Sequence, residues 1–306
     1  MCIRDRTNTL TDHLRAVRHI GGAIIGWKAI IKGLGLLWKL KRAGVKRYRG
    51  VESFSVIGQT DVEGIRVVRS GQTLDIECEQ VFLHQGVVPN TQLSRALQLD
   101  HEWSDLQRCF KPVTDTWGKT SNPRVYVAGD GAGIGGAIAA ELRGSLCAIN
   151  VLSELGKIDA QSLDSIAKPK LRALSKELAL RPFLDVLYPV PDFIANPDDS
   201  TLICRCEEVS AGAIREYAKL GCMGPNQTKA FGRPGMGPCQ GRNCGLTVTE
   251  ILARAHNKPA AEIGAYKIRM PIKPVSLGEM ASLAETQTNN QANNQTNNQI
   301  GGEEGQ

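Results

Sequence analysis

No apolar run in this 306-residue sequence is both long and unbroken enough to cross a bilayer. The most apolar stretch, Ile20 to Leu40, is interrupted by Lys28, Lys32 and Lys39 and carries five glycines. Met1 to Thr11 lacks the apolar core of a secretory signal. The expectation is therefore a chain without a transmembrane segment, cytoplasmic or at most peripheral to the inner membrane. Aromatic residues are scarce, at 5%. None interleaves with the basic stretch Lys28 to Arg49 in the manner of a nucleic-acid motif, so its eight basic residues read as a solvated helix face and loop, with no nucleic-acid partner. The net charge of +6 is modest for the length.

Against these absences stand nine cysteines, five of them between Thr201 and His256. In a reducing compartment such clustering points to metal binding or redox chemistry. Cys204-Arg205-Cys206 is followed after 32 residues by Cys239-Gln240-Gly241-Arg242-Asn243-Cys244. Two close pairs make a four-thiolate ligand set, because each pair fixes two sulfurs locally and the fold need only join two points. Zinc and a [2Fe-2S] cluster both accept four thiolates. Cys-x-Cys is less usual for zinc. Both pairs precede helix starts, at Ser210 and near Leu246, where free N–H groups favour anionic ligands. The glycines of Gly232 to Pro238 allow close backbone approach to the sulfurs. Cys2, Cys78, Cys109, Cys147 and Cys222 read as packed thiols.

Elsewhere, spacings of three and four predict a helix over Trp27 to Arg42, ended by Ala43-Gly44. Glu52 to Ile57, Gly64 to Arg69 and Thr73 to Leu83 predict a β-meander, with a turn at Arg69-Ser70-Gly71. Val81 to Leu83 reads as a strand opening into a turn at Asn90, and Thr91 to Leu97 as a helix. Arg124 to Ala128 reads as a short buried strand entering Gly129-Asp130-Gly131-Ala132-Gly133, before a long helix to about Leu155 and another over Ala160 to Leu180. Gly131, Gly133 and Gly136 satisfy G-x-G-x-x-G, but no second strand comes after them, so this is not the opening of a Rossmann unit. His84 is tempting as a base, but a strand-end histidine is more often packing; no catalytic residue is assigned.

The segments Cys204 to Val209, Asn226 to Ala230 and Gly235 to Cys244 resemble the bacterioferritin-associated-ferredoxin-like (BFD-like) [2Fe-2S] domain. They are closest to the form fused to flavin-dependent amino-acid dehydrogenases, a branch that includes opine oxidase, D-hydroxyproline dehydrogenase alpha and hydrogen cyanide synthase B subunits. The four residues between Cys239 and Cys244 agree with that branch. Tyr126 to Asp130 resembles the second flavin motif of the pyridine nucleotide–disulfide reductase fold.

The resemblance implies that Asp130 accepts a hydrogen bond from the flavin ribityl chain, with Gly129, Gly131 and Ala132 closing on that region. It implies FAD in the full-length protein, NAD(P) further upstream, and Cys204, Cys206, Cys239 and Cys244 as ligands of a [2Fe-2S] cluster. The partner would be a second flavin-containing, amine- or amino-acid-oxidising subunit in a hetero-oligomer. The expected fold class is α/β. It is a partial two-dinucleotide-domain flavoprotein followed by a small helical BFD-like domain.

The expected divisions are 12–80, an NAD(P)-type remnant; 81–156, the C-terminal part of an FAD domain; 157–199, a helical, proline-rich linker; 200–256, the cluster domain; 257–284, an extension; and 285–306, a disordered Asn/Gln-rich tail. Residues 1–6 look unrelated to the rest of the chain, and the whole reads as a C-terminal fragment. The expected function is electron relay between flavin and acceptor. A stand-alone [2Fe-2S] carrier or a zinc-stabilised interaction domain are the alternatives.

Overall fold

A computed structural model describes residues 2–4, 10–48, 50–84 and 86–283; the expected Asn/Gln-rich tail lies outside the described residues. The chain is mixed α/β. Strand β1 (Cys2–Arg4) is followed by helices α1 (Leu10–Val17), α2 (Ile20–Ile25) and α3 (Trp27–Arg42). Strand β2 (Lys46–Tyr48) pairs in parallel with β1. Helix α3 has the bounds its periodicity predicts, and Gly44 comes after it at φ 73°.

Strands β3 (Val51–Ile57), β4 (Gly64–Arg69) and β5 (Gln72–Glu77) form the expected antiparallel meander in sequence order. Ser70 and Gly71, at φ 50° and 72°, make the tight turn between β4 and β5, the left-handed pair that matches strand twist. The third strand stops at Glu77 rather than Leu83. Val81 to Leu83 forms no strand among the described residues; Phe82 stands 90% exposed.

Helix α4 (Gln92–Ala96) leads to a hairpin of β6 (His101–Ser104) and β7 (Cys109–Pro112). Trp103 and Phe110 face each other across it, edge to face at 5.0 Å between centroids. Arg124 to Ala128, expected as a buried strand, is instead a partly exposed extended segment with one isolated bridge, Lys119 to Tyr126. A 3-10 turn (Gly129–Ala132) then precedes α5 (Ala137–Glu154).

Helix α6 (Ala160–Ala179) begins at Asp159, whose carboxylate accepts from the Ser162 N–H at 2.7 Å. It packs on α5 through Ala139, Leu146, Ala167 and Leu174. Helices α7 (Arg181–Leu187) and α8 (Asp192–Ala195) carry the chain to the cysteine lobe.

That lobe holds strands β8 (Leu202–Cys204) and β9 (Val209–Ser210) and helices α9 (Ala211–Lys219), α10 (Pro225–Gly232), α11 (Gly245–Ala255) and α12 (Ala260–Ile263). Ser210 caps α9 as expected, its hydroxyl accepting from Ala213 N–H at 3.2 Å. Ile214, Val248, Ile251 and Leu252 form the core, joined by Tyr266 from beyond α12 and by Trp103 of the hairpin. Among the described residues no helix is long and apolar enough to cross a membrane.

Candidate cysteine and glycine-turn sites

The four cysteines lie in one lobe. Cys204 ends β8 and Cys244 immediately precedes α11; both are buried. Cys239 is half-buried and Cys206 exposed. The Cys206 and Cys239 sulfurs lie 4.0 Å apart. The Cys204 sulfur accepts from Gly235 N–H at 3.5 Å. Burial pushes the Cys244 thiol up, and the neighbouring Cys204 and Cys239 push it the same way. The Cys239 thiol sits low although burial opposes this, because the backbone at Asn243, Gly241 and Arg242 hydrogen-bonds to it.

The loop geometry explains the glycines. A Cβ on Gly237 would lie 2.2 Å from the Cys206 Cβ, so only glycine lets that stretch of loop pass. Gly235 and Gly241, at φ 81° and 79°, each back onto the Tyr266 ring, where a Cβ would come within 2.8 Å. The donor set of four thiols, two pairs and amide-lined sulfurs fits a four-thiolate centre. The thiols approach pairwise, however, and no group of three or more His, Cys, Asp or Glu side chains is poised to hold a metal ion among the described residues. Cys222 makes its own contact, with the carbonyl of Gly224 at 3.5 Å, and stands outside the set.

The second site is the glycine turn. Gly129, Gly133 and Gly136 take φ values of 66°, 120° and 98°. Asp130 is exposed, and its Oδ1 accepts from Gly135 N–H at 3.3 Å while Oδ2 makes no hydrogen bond to the described residues. Arg143 on α5 reaches back to the carbonyls of Gly129 and Gly133 and fastens the turn. Burial lowers the Arg143 guanidinium, and Asp130 opposes that. An exposed carboxylate with a free oxygen suits a polyol hydroxyl donor, so the residues present fit the flavin contact expected of them.

The two sites do not touch; the β6–β7 hairpin stands between them. Gln107 donates to the Ile134 carbonyl of the glycine turn at 3.1 Å and to Asp185 at 3.0 Å. The next residue, Arg108, pairs with Glu250 of α11. Gln107 and Arg108 went unsuspected in the sequence, which offers no signal for contacts so distant along the chain.

Residues 36–144 match the family model described as pyridine nucleotide-disulphide oxidoreductase, and residues 199–284 match the sarcosine oxidase A3 domain. The opine oxidase A subunit of Agrobacterium tumefaciens (strain Ach5) is 44% identical over 84% of this chain and 51% of its own length. The opine oxidase A subunit of Rhizobium meliloti (strain 1021) is 42% identical over 88% and 59%. The hydrogen cyanide synthase subunit HcnB of Pseudomonas protegens (strain DSM 19095 / LMG 27888 / CFBP 6595 / CHA0) is 27% identical over 80% and 54%. The chain thus spans about half the length of the curated relatives it matches. A crystal structure of L-proline dehydrogenase from P. horikoshii shares the fold, with a TM-score of 0.62 over 79% of this chain and 47% of that one, at 24% identity. Residues 36–144, which hold the glycine turn, and residues 199–284, which hold the four paired cysteines, thus each resemble a domain named for oxidoreductases.

Proposed function

We propose that this chain is the electron-transferring part of an FAD- and [2Fe-2S]-dependent oxidoreductase of amino-acid or opine dehydrogenase type. The observation that supports the reading is that the Cys206 and Cys239 sulfurs meet in the same lobe as buried Cys204 and Cys244, with Gly237 leaving room beside Cys206. Asp130, Gly129, Gly131 and Ala132 would hold the flavin ribityl region in the full-length protein. A cluster on the four thiolates would supply one-electron transfer beside a two-electron flavin. The Gly235 N–H that meets the Cys204 sulfur would favour the anionic ligand and tune it. The hairpin holds the cysteine lobe and the glycine turn at a fixed separation through adjacent residues, Gln107 and Arg108. The cluster domain in this reading is BFD-like, and NAD(P) is assigned to sequence upstream.

The partner in this reading is a flavin-containing subunit that oxidises an amine, and the setting is cytoplasmic. Helices α1 to α3 support a large contact: Leu14, Ile24, Trp27, Ile31 and Trp38 are all exposed, more than a solitary surface needs.

The deciding measurement is iron, acid-labile sulfide and zinc on anaerobically purified protein, with an EPR spectrum after dithionite. The reading expects about two irons and two sulfides per chain, lost in Cys204→Ser and Cys239→Ser but kept in Cys222→Ser. Stoichiometric zinc without sulfide would overturn it in favour of a zinc-stabilised domain.

A further inference from the structure

Between Val88 to Arg95 and the loop after Cys239 lies a cavity of about 240 Å³ that electron transfer leaves without a role. We propose that it is a binding site for a small organic carboxylate that carries an O–H or N–H donor next to its charge. The proposal does not depend on which metal the cysteines hold.

Charge is the first argument. Arg95 and Arg242 line the cavity, and no Asp or Glu does. Arg95 is partly buried, its guanidinium 4.7 Å over the Phe110 ring and its Nε donating to Thr91 Oγ1 at 3.0 Å. Its terminal N–H groups find no partner among the described residues. Burial pulls its proton affinity down with no carboxylate to offset the cost. A desolvated cation of this kind calls for a counter-ion, and a planar guanidinium with both terminal nitrogens free matches a carboxylate.

Gln92 is the second. It is 7% exposed. Its Nε2 donates to the Gln240 carbonyl at 3.0 Å, which fixes the amide orientation because a carbonyl can only accept. Its Oε1 is buried without a partner. That oxygen needs a donor, which a bare carboxylate lacks and a hydroxy or amino acid supplies.

Phe110, Leu246 and Tyr266 give the remaining wall a largely apolar surface, beside Asn90 and Thr249, so the ligand has an apolar body. The volume is about eight times the roughly 30 Å³ share of one water in the liquid, which suits a metabolite-sized acid.

The test is isothermal titration calorimetry of the full chain with mandelate and with phenylacetate, which differ by one hydroxyl. Mandelate should bind about tenfold more tightly, the worth of one buried hydrogen bond. Gln92→Met should abolish that preference while keeping phenylacetate binding, and Arg95→Met should abolish both. Because Arg95 supports α4, the exposed Arg242→Gln provides a second arm, expected to weaken both ligands several-fold with circular dichroism unchanged. Absence of saturable binding to the folded chain, equal affinity for the two acids, or indifference to Arg242→Gln would each overturn the proposal.

Discussion

Arg108 and Glu250, 142 positions apart, form a two-pronged ion pair, with Nε to Oε1 at 2.9 Å and Nη2 to Oε2 at 2.7 Å. Arg108 sits in the turn between β6 and β7 at φ 48°, and Glu250 sits on α11 behind the cysteine loop. The pair is the charged weld between the hairpin and the cysteine lobe. The Arg108 side chain is 27% exposed and that of Glu250 10%. Removing one partner strands the other, which costs about 3–5 kcal/mol when both are fully buried. Partial exposure of Arg108 brings the expected cost of Arg108→Met to about 2–3 kcal/mol. Urea unfolding should show that loss, and Glu250→Leu in the same background should return much of it. Equal, additive losses from the two substitutions would mean that the pair does not couple.

His101 gives a pH dependence with a defined sign. Its Nδ1 donates to the Leu99 carbonyl at 2.7 Å, so Nε2 of the neutral ring faces the Ser94 hydroxyl at 2.9 Å. Burial and the nearby Arg95 hold its proton affinity below the ordinary histidine value, against weaker opposition from Leu99 O and Asp100. The unfolded chain therefore takes a proton that the folded chain resists. The contribution is fully present above the unfolded pKa of about 6.5 and is lost as pH falls below it, by at most about 1.4 kcal/mol per pH unit. The urea midpoint of the wild-type chain should fall more between pH 7.5 and 5.5 than that of His101→Gln. Parallel curves would contradict the assignment.

Local order in the sequence translated well into local order in the fold. The three-and-four spacing of Trp27, Ile31, Leu34 and Trp38 placed α3 because a helix satisfies its own backbone. Val81 to Leu83 and Arg124 to Ala128 misled because a strand depends on a neighbour, and an apolar β-branched run cannot state whether one is there. Spacing put the four cysteines in one lobe, but did not show that Cys206 meets Cys239 of the other pair. Arg108, Gln107 and Gln92 were not legible, since their partners lie 142, 27 and 148 positions away. Polar residues of these types on a turn or short helix look like any solvated surface.

Ser210 is a local device with a calculable effect. Its hydroxyl accepts from Ala213 N–H and starts α9, which carries Ile214 into the lobe core. Ser210→Ala should lower stability by about 1 kcal/mol, and Ser210→Asp should restore most of it. Denaturant midpoints with unchanged slopes would report both. A neutral Ser210→Ala would show that the cap is redundant with the β8–β9 pairing beside it.

Gly237 separates the requirement for the metal from the requirement for the fold. Its φ is not in the left-handed region, so alanine meets no backbone penalty there. The obstacle is purely steric: the new Cβ would stand 2.2 Å from Cys206 Cβ and 3.1 Å from its sulfur. Turning χ1 of Cys206 moves its sulfur but not its Cβ, so the backbone of the exposed loop at Cys206 or Gly237 must shift to make room. The core residues Ile214, Val248 and Leu252 lie below and need not move. Gly237→Ala should therefore keep its helical circular dichroism with a lowered unfolding midpoint and, on the proposed four-thiolate reading, lose at least about nine-tenths of the metal. Gly144→Ala in α5, where a Cβ meets nothing within 4 Å, is the matched control. It should retain full metal and gain about 0.5–1 kcal/mol from helix propensity. Full metal in Gly237→Ala would mean that Cys206 is not held where its pairing with Cys239 places it, and the four-thiol site would have to be reduced to three.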